Sequence, residues 1–181
     1  MKYLARTLGM AGLGLLLGCT PGQRLPFDVP YGHYENFLRE YVGDRGQLTC
    51  QVSIEENHTG DKWVPSVILA AAQDEREDYT LFLSSSPQSN GSDQRTFHLR
   101  TFVNATAVIS DHFLNAPNRN DQYGLRLAWH ADGSISYQVD NGDGWTPKAT
   151  VQSPGFKVRH VSAHASGVKG VAHCVVSDSD V

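Results

Sequence analysis

Apolar and polar residues alternate along most of the chain after residue 46, and this alternation is its dominant pattern. Leu48, Cys50, Val52 and Ile54 are each followed by a polar residue. A repeat of two residues predicts a strand that buries one face. Comparable segments recur at intervals of roughly 8–15 residues, the spacing of a sandwich or barrel. We therefore predict an all-β fold, an antiparallel β-sandwich of the jelly-roll or lectin-like kind with about nine strands.

One segment near the N-terminus departs from this alternation. Tyr34, Phe37, Leu38 and Tyr41 stand at positions i, i+3, i+4 and i+7, which would place them on one face of a helix. Gly43 follows as a stop signal. The spacing predicts one short helix over residues 33–42, packed against the sheet or plugging one end of it.

The clearest local unit is a hairpin in the second half of the chain. Tyr123 to Trp129 alternates, Asp132-Gly133 follows, and Ile135 to Val139 alternates again. Asp-Gly between two alternating segments is the strongest short-range hairpin signal. The run from Tyr123 to Trp145 resembles the central hairpin of concanavalin/laminin-G-like domains, and this resemblance implies a lectin-like sandwich.

The start of the chain has the composition of an export signal. Lys2 and Arg6 precede an apolar run from Leu8 to Leu17, which is too short for a membrane-spanning helix of ~20 residues. The run ends in Leu16-Leu17-Gly18-Cys19, which resembles the lipobox of bacterial lipoproteins. The resemblance implies cleavage before Cys19 and acylation of that residue by fatty acids such as palmitate. The alternatives are an ordinary cleaved signal or a short buried helix with a core Cys.

The lipobox divides the chain into a signal peptide, 1–18, a tether, 19–30, and a β-sandwich domain, 31–181. Residues 20–30 contain three Pro and one Gly, the composition of a linker. The resemblance implies a lipid anchor in the bacterial envelope. Thr20 stands where lipoproteins retained at the inner membrane carry Asp, which favours the outer membrane with the domain facing the periplasm.

The number of cysteines is consistent with this anchor. The chain has three Cys, and an odd number in an exported protein leaves one unpaired. If Cys19 carries lipid, Cys50 and Cys174 remain as a pair in an oxidising compartment. A disulfide requires Cα atoms within ~7 Å, so the first and last predicted strands should be neighbours.

The charge of the chain limits its partners. Removal of the signal takes away two of the 15 basic residues and none of the 19 acidic ones, so the mature net charge is −6. A nucleic-acid partner would need a basic stripe, which the sequence lacks. We therefore expect no nucleic-acid partner, and a membrane attachment that depends on the acyl chains alone.

Motifs for catalysis or metal binding are weak. Ser166-Gly-Val-Lys169 matches Ser-x-x-Lys, but it lies in a predicted turn where the two side chains do not share a helical face. His160 and His164 would stand ~13 Å apart along a strand, too far to bind one ion. The eight His residues lack a metal-binding spacing, so we expect them to be surface or half-buried. We predict no enzyme activity, no metal and no cofactor.

The turn after the hairpin carries the candidate ligand-binding residues. Asp140, Asn141 and Asp143 offer oxygen atoms, and Trp145 follows directly. The acids suit Ca²⁺ by ligand type, but they lack a third acid and a closing Glu, and hairpin turns favour Asn, Asp and Gly for backbone reasons alone. A Trp beside polar residues suits both sugar stacking and burial at a sandwich edge.

The predicted function is binding rather than catalysis. We expect a lipid-anchored envelope protein that recognises a glycan, a cell-wall polymer or another protein through loops or an open sheet face. The alternative is a periplasmic immunity or inhibitor lipoprotein that neutralises a toxin or hydrolase. That alternative requires an acidic protruding loop, for which residues 84–93 and 115–121 are candidates.

Overall fold

The computed structural model describes residues 22–58, 60, 64–74, 79–87, 94–103, 106–117, 121–152 and 155–178. These residues contain no helix, and so none long and apolar enough to cross a membrane. They form twelve strands rather than the nine expected: β1 (Gln23–Asp28), β2 (Tyr34–Tyr41), β3 (Gly46–Asn57), β4 (Ser66–Ala72), β5 (Tyr79–Pro87), β6 (Gln94–Val103), β7 (Thr106–Pro117), β8 (Gln122–Trp129), β9 (Ser134–Asp140), β10 (Ala149–Gln152), β11 (His160–Ser166) and β12 (Val168–Ser177).

The strands form two antiparallel sheets of six strands each, which confirms the predicted β-sandwich. Sheet 1 has the order β1-β12-β3-β8-β9-β10, and sheet 2 has the order β2-β11-β4-β5-β6-β7. Alternate residues of both sheets point inward and form a single apolar core. Leu48 and Cys50 of β3 and Leu125 of β8 are completely buried there, as the period of two predicts. On β3 and β8 the outer face carries polar residues such as Thr49, Gln51 and Arg126.

The predicted helix over residues 33–42 is wrong, because this segment is the edge strand β2 of sheet 2. A β-bulge interrupts its pairing with β11. Phe37 and Leu38 are adjacent in the chain, yet both pack against the core, since a bulge changes which residues face inward. Tyr34 and Tyr41 remain exposed, at 49% and 68%. The four apolar residues therefore do not share one face.

Part of the predicted tether, residues 19–30, belongs to the sandwich. Residues 23–28 form β1, which pairs with β12 at the edge of sheet 1. Leu25 and Phe27 are buried in the core, and Pro26 is tolerated because an edge strand does not need every backbone N–H for pairing. The sandwich therefore begins at Gln23, while the lipobox, residues 16–19, lies outside the described residues.

The predicted disulfide between Cys50 and Cys174 is confirmed. The two residues stand directly opposite each other on the adjacent strands β3 and β12, with Cα atoms 4.1 Å apart. The last strand also pairs with β1. The disulfide therefore joins the third strand, β3, to the last strand, β12, within one sheet.

Two predicted turns are also confirmed. Asp132 closes the β8–β9 hairpin by accepting hydrogen bonds from the backbone N–H and the hydroxyl of Ser134, at 2.9 and 2.7 Å. Gly133 has a φ of 83°, which favours glycine. Ser166 and Lys169 lie on either side of the turn between β11 and β12, where Gly167 has a φ of 60°.

The two acidic loops suggested for an inhibitor are shorter than expected. Residues 84–87 are the end of β5, and residues 115–117 are the end of β7. Residues 88–93 and 118–120 lie outside the described residues. Asp121 immediately precedes β8, and its carboxylate accepts a hydrogen bond from buried Arg95 at 3.2 Å.

Candidate functional site

Trp145 lies on the outer face of sheet 1. The chain leaves β9 at Asp140, reverses, and returns through an isolated bridge between Asp140 and Trp145. The indole reaches Gly124 of β8, where an added Cβ atom would lie 2.8 Å from Cη2 of the ring. A side chain at this position would displace the ring, so Gly124 provides the space in which Trp145 rests.

The turn that carries Trp145 is built by its own side chains. Oδ1 of Asp140 accepts hydrogen bonds from the backbone N–H groups of Gly142 and Gly144, at 2.8 and 3.1 Å. Both glycines have a φ of 94°, a conformation that other residues rarely adopt. Thr146 adds a hydrogen bond from its backbone N–H to the carbonyl of Val139 at 2.8 Å. These contacts hold Trp145 against the sheet.

The three polar residues predicted as ligands do not converge on one point. Asp140 uses Oδ1 within the turn, Asn141 is buried at 8% exposure, and Asp143 is exposed. Among the described residues, no group of three or more His, Cys, Asp or Glu side chains is arranged to hold a metal ion. Of the four predicted site residues, Trp145 is the one placed over an open sheet face.

Arg126 completes the site and was not predicted from the sequence. Its guanidinium carbon lies 3.9 Å from the centroid of the Trp145 ring, in a cation–π contact. Nε donates to Oγ1 of Thr49 on β3 at 3.4 Å, and Nη1 donates to Oε1 of Gln138 on β9 at 3.2 Å. The guanidinium is thus held across three strands, and partial burial lowers the pKa of Arg126 from its usual value.

Other polar side chains extend this surface on the outer face of sheet 1. Gln138 donates from Nε2 to the carbonyl of Thr146 at 2.7 Å, which joins the sheet to the Trp145 turn. Gln51 is exposed and faces Gly124 across the β3–β8 pair. We call this set of residues the Trp145 site; it consists of Thr49, Gln51, Gly124, Arg126, Gln138 and Trp145.

The alternation of apolar and polar residues in β8 predicted part of the Trp145 site. Gly124 and Arg126 are the polar-face positions of a strand whose other residues point inward. The sequence did not show that β8 lies between β3 and β9, nor that the 140–144 turn folds back over it. Only that register brings Arg126, Thr49 and Gln138 together.

Two histidines on sheet 2 are not surface or half-buried as expected. His160 and His164 of β11 are 0% and 2% exposed. Nε2 of His164 lies 2.7 Å from the Ser162 hydroxyl, and Tyr34 stacks on its ring with centroids 4.8 Å apart. Burial lowers the pKa of His164 to about 4, with smaller contributions from the positive charges of His160 and Arg39.

This burial predicts a pH-dependent stability. His164 takes up a proton near its ordinary pKa of 6.5 when unfolded, but only near 4 when folded. Between these values the unfolded state binds more protons, so the free energy of unfolding falls as the pH falls through this window. The loss is about 3 kcal/mol for His164. Urea denaturation of the wild type and His164→Gln, near pH 7 and near pH 4.5, measures it.

Comparing the wild type with His164→Gln separates the contribution of His164 to stability from that of the carboxylates, which also titrate at low pH. His173→Gln, at an exposed position of β12, is the matched control and should keep the wild-type pH dependence. An identical pH dependence in the wild type and His164→Gln would contradict this assignment.

No family model matches the chain, and no curated protein matches it. Solved structures do resemble it. The CBM2 module of an evolved Dit protein from Lactobacillus casei BL23 phage J-1 superposes with a TM-score of 0.54 at 13% identity, covering 87% of this chain and 77% of that one. A variant of human galectin-16 superposes with a TM-score of 0.53 at 11% identity, covering 86% and 99%.

A catalytic protein contains a similar fold. The GH43 protein BlXynB of Bacillus licheniformis superposes with a TM-score of 0.51 at 6% identity, covering 76% of this chain and 28% of that one. At these identities the likenesses establish the fold alone, because one fold serves many functions. The function must therefore be argued from the Trp145 site.

Proposed function

We propose that this protein is a glycan-binding β-sandwich and that the Trp145 site is its binding surface. The observation that carries the proposal is the placement of Trp145, which lies half-buried on an outer sheet face rather than in the core. An aromatic ring held on a polar surface by Arg126 and Gly124 can stack on the apolar face of a sugar. The likeness to a CBM2 module and to a galectin supports this function.

The neighbouring groups suit the rest of a sugar. Gln51, Gln138 and Thr49 present amide and hydroxyl groups beside the indole, and Arg126 presents N–H donors. Sugar hydroxyls both donate and accept hydrogen bonds, so amide side chains can bind them either as donors or as acceptors. An apolar ring with a few polar groups around it is the arrangement found at small-ligand sites.

Replacing Trp145 by Ala is expected to weaken glycan binding by about tenfold or more with little change in melting temperature. Aromatic stacking contributes about 0.5–1.5 kcal/mol beyond the buried area, and 1.4 kcal/mol corresponds to a factor of ten. Glycan-array screening followed by affinity electrophoresis measures the binding. Gly124→Ala should act in the same direction, because its Cβ displaces the indole while leaving Trp145 in the chain.

Tyr41→Ala is the matched control, since it removes an aromatic ring that is 68% exposed on the other sheet. It should leave glycan binding unchanged. If Trp145→Ala binds as the wild type does, the site is refuted. If its melting temperature falls by many degrees, Trp145 belongs to the core and the proposal loses its main residue.

We also propose that Cys19 is acylated and anchors the domain in the bacterial envelope, facing the periplasm from the outer membrane. Support comes from the lipobox at residues 16–19 and from a disulfide between the other two cysteines. β1 begins at Gln23, and four residues span at most ~14 Å. The anchor would therefore hold the start of β1 close to the membrane surface.

Cys19→Ser is expected to move the protein from the detergent phase to the aqueous phase. Each buried CH₂ contributes about 0.8 kcal/mol, so several acyl chains hold the protein permanently. Detergent-phase partition of the wild type and the variant measures this, with Thr20→Ser as the control that changes the next residue but keeps Cys19 and the disulfide. Equal partition of Cys19→Ser and the wild type would rule out the lipoprotein hypothesis.

A further inference from the structure

The charge of Arg126 is not balanced by the residues that hold it. Thr49, Gln138 and Trp145 are all neutral, and within the described residues Arg126 forms no ion pair. Arg95, which also stacks on an aromatic ring, differs in this respect, because its Nη2 lies 3.2 Å from the Asp121 carboxylate. Arg126 is thus a cation fixed on the sheet by neutral groups.

This arrangement leaves donors of Arg126 available to a ligand. A guanidinium has five N–H groups, and its two protein hydrogen bonds use Nε and Nη1. Nη2 donates to no group in the described part of the chain. Arginine binds carboxylates through two parallel N–H donors, and such charge-assisted bonds are roughly twice as strong as neutral ones. A preorganised, partly desolvated arginine therefore favours an anionic ligand over a neutral one.

The surrounding charges are consistent with such a ligand. Asp140, the acidic residue beside the indole, already accepts two backbone N–H groups through Oδ1. The row of outward residues that contains Gly124 continues through Gln51 to His173 on β12 and Arg24 on β1. Arg24 lies about 14 Å from Gly124, three strand spacings away. An extended ligand that crosses the strands would meet a second cation there.

Two further acidic residues of the same face lie near a lysine. Asp28 and Glu55 are within 3.9 and 4.0 Å of Nζ of Lys169, in a depression that Arg24 also lines. Asp28 and Glu55 therefore have Lys169 as a nearby cation and do not pair with Arg126.

We propose that the Trp145 site binds a carboxylated glycan and that Arg126 binds its carboxylate while Trp145 stacks on the sugar ring. This inference rests on the proposed glycan-binding function and specifies the chemical class of the ligand. It distinguishes acidic polymers such as polyuronates from neutral polysaccharides of similar shape.

The test compares matched acidic and neutral probes. Affinity electrophoresis with polygalacturonate, alginate and hyaluronate, against galactan, xylan and dextran, identifies the polymers that are bound. Calorimetry then compares oligogalacturonate with its fully methyl-esterified form at low and high salt. The acid should bind at least about tenfold more tightly than the ester, because charge-assisted hydrogen bonds are stronger than neutral ones. This preference should shrink at high salt.

Variants assign the preference to Arg126. Arg126→Gln should lose acid binding by about tenfold or more and should lose less affinity for the ester, because the ester gives up only the support that Arg126 provides to the Trp145 ring. Arg126→Lys keeps the charge without the planar fork and should be intermediate. Arg100→Gln, which removes an exposed arginine from sheet 2, should bind as the wild type does. Melting temperatures of all variants show whether each is folded.

The outcomes separate the two proposals. Equal binding of acid and ester, preference for the neutral polymers, or an equal loss of both ligands in Arg126→Gln would overturn the carboxylated-glycan inference and leave glycan binding intact. Absence of binding to every polymer would overturn the glycan-binding function itself. Unchanged binding in Trp145→Ala would refute the Trp145 site and with it the role assigned to Arg126. If Arg126→Gln does not fold, the Arg126→Lys variant and the salt dependence decide.

Discussion

Replacing Cys50 and Cys174 together by Ala is expected to lower the free energy of unfolding by about 5 kcal/mol. The disulfide closes a loop with a sequence separation of 124 residues, and the chain-entropy model gives roughly 5 kcal/mol for a loop of this length. A typical domain has a total stability of only about 5–15 kcal/mol. Urea denaturation of the oxidised wild type and the double variant measures the difference.

The entropic origin of this loss of stability predicts a second measurable change. The bond restricts the unfolded chain, so its removal should steepen the dependence of the unfolding free energy on urea because more surface is exposed. Reduction of the wild type with dithiothreitol is the control and should reproduce the double variant. An unchanged denaturation midpoint would show that the disulfide contributes little to stability. Peptide mapping without reductant should find the two cysteine peptides joined.

Trp129→Ala is expected to cost about 3–5 kcal/mol, as truncation of a buried Trp does. Trp129 is 0% exposed at the end of β8, and its Nε1 donates to the carbonyl of Gly43 at 3.0 Å. A Cβ atom added at Gly46 would lie 2.5 Å from its ring, which shows how closely this part of the core is packed. For a domain of this size the melting temperature should fall by roughly 10 °C, as thermal denaturation measures.

Trp145→Ala is the matched comparison, since both residues pack on sheet 1 but on opposite faces. Trp129→Ala should lower the melting temperature, whereas Trp145→Ala should weaken glycan binding. Trp129→Phe, which keeps an aromatic ring, should show a smaller loss than Trp129→Ala. If the two Ala variants melt at the same temperature, the assignment of the two faces is wrong.

The two faces of sheet 1 have different roles. The inner face of sheet 1 is packed into the core, and burial of its apolar residues holds the register of β3, β8 and β9. That register fixes Thr49, Arg126 and Gln138 beside one another on the outer face. A rigid sandwich can therefore display a binding surface whose residues contribute little to the core.

Local patterns in the sequence determined much of the fold. The alternation of β3, β8 and β9 predicted their inward residues, because side chains of a strand point to opposite faces in turn. Asp132 and Gly133 predicted the β8–β9 turn, because the turn requires a positive φ. The third cysteine and the lipobox together indicated which two cysteines pair.

Local patterns failed where an edge strand was involved. The segment from Tyr34 to Tyr41 has helical spacing, but pairing with β11 and a bulge between Ala163 and His164 make it a strand. Pro26 suggested a tether, but pairing with β12 places residues 23–28 in the sheet. In both segments the hydrogen bonds come from a strand more than 100 residues away in the chain, and no local pattern records them.

The candidate site shows the same division between local and long-range information. The sequence by itself determined that Trp145 follows a turn rich in Asp and Gly, and that Gly124 and Arg126 lie on the polar face of a strand. Only the tertiary structure decided that the turn folds back over Gly124 and that β8 lies between β3 and β9. The period of a strand is a property of its own residues, whereas its partners and register follow from burying the apolar faces of both sheets together.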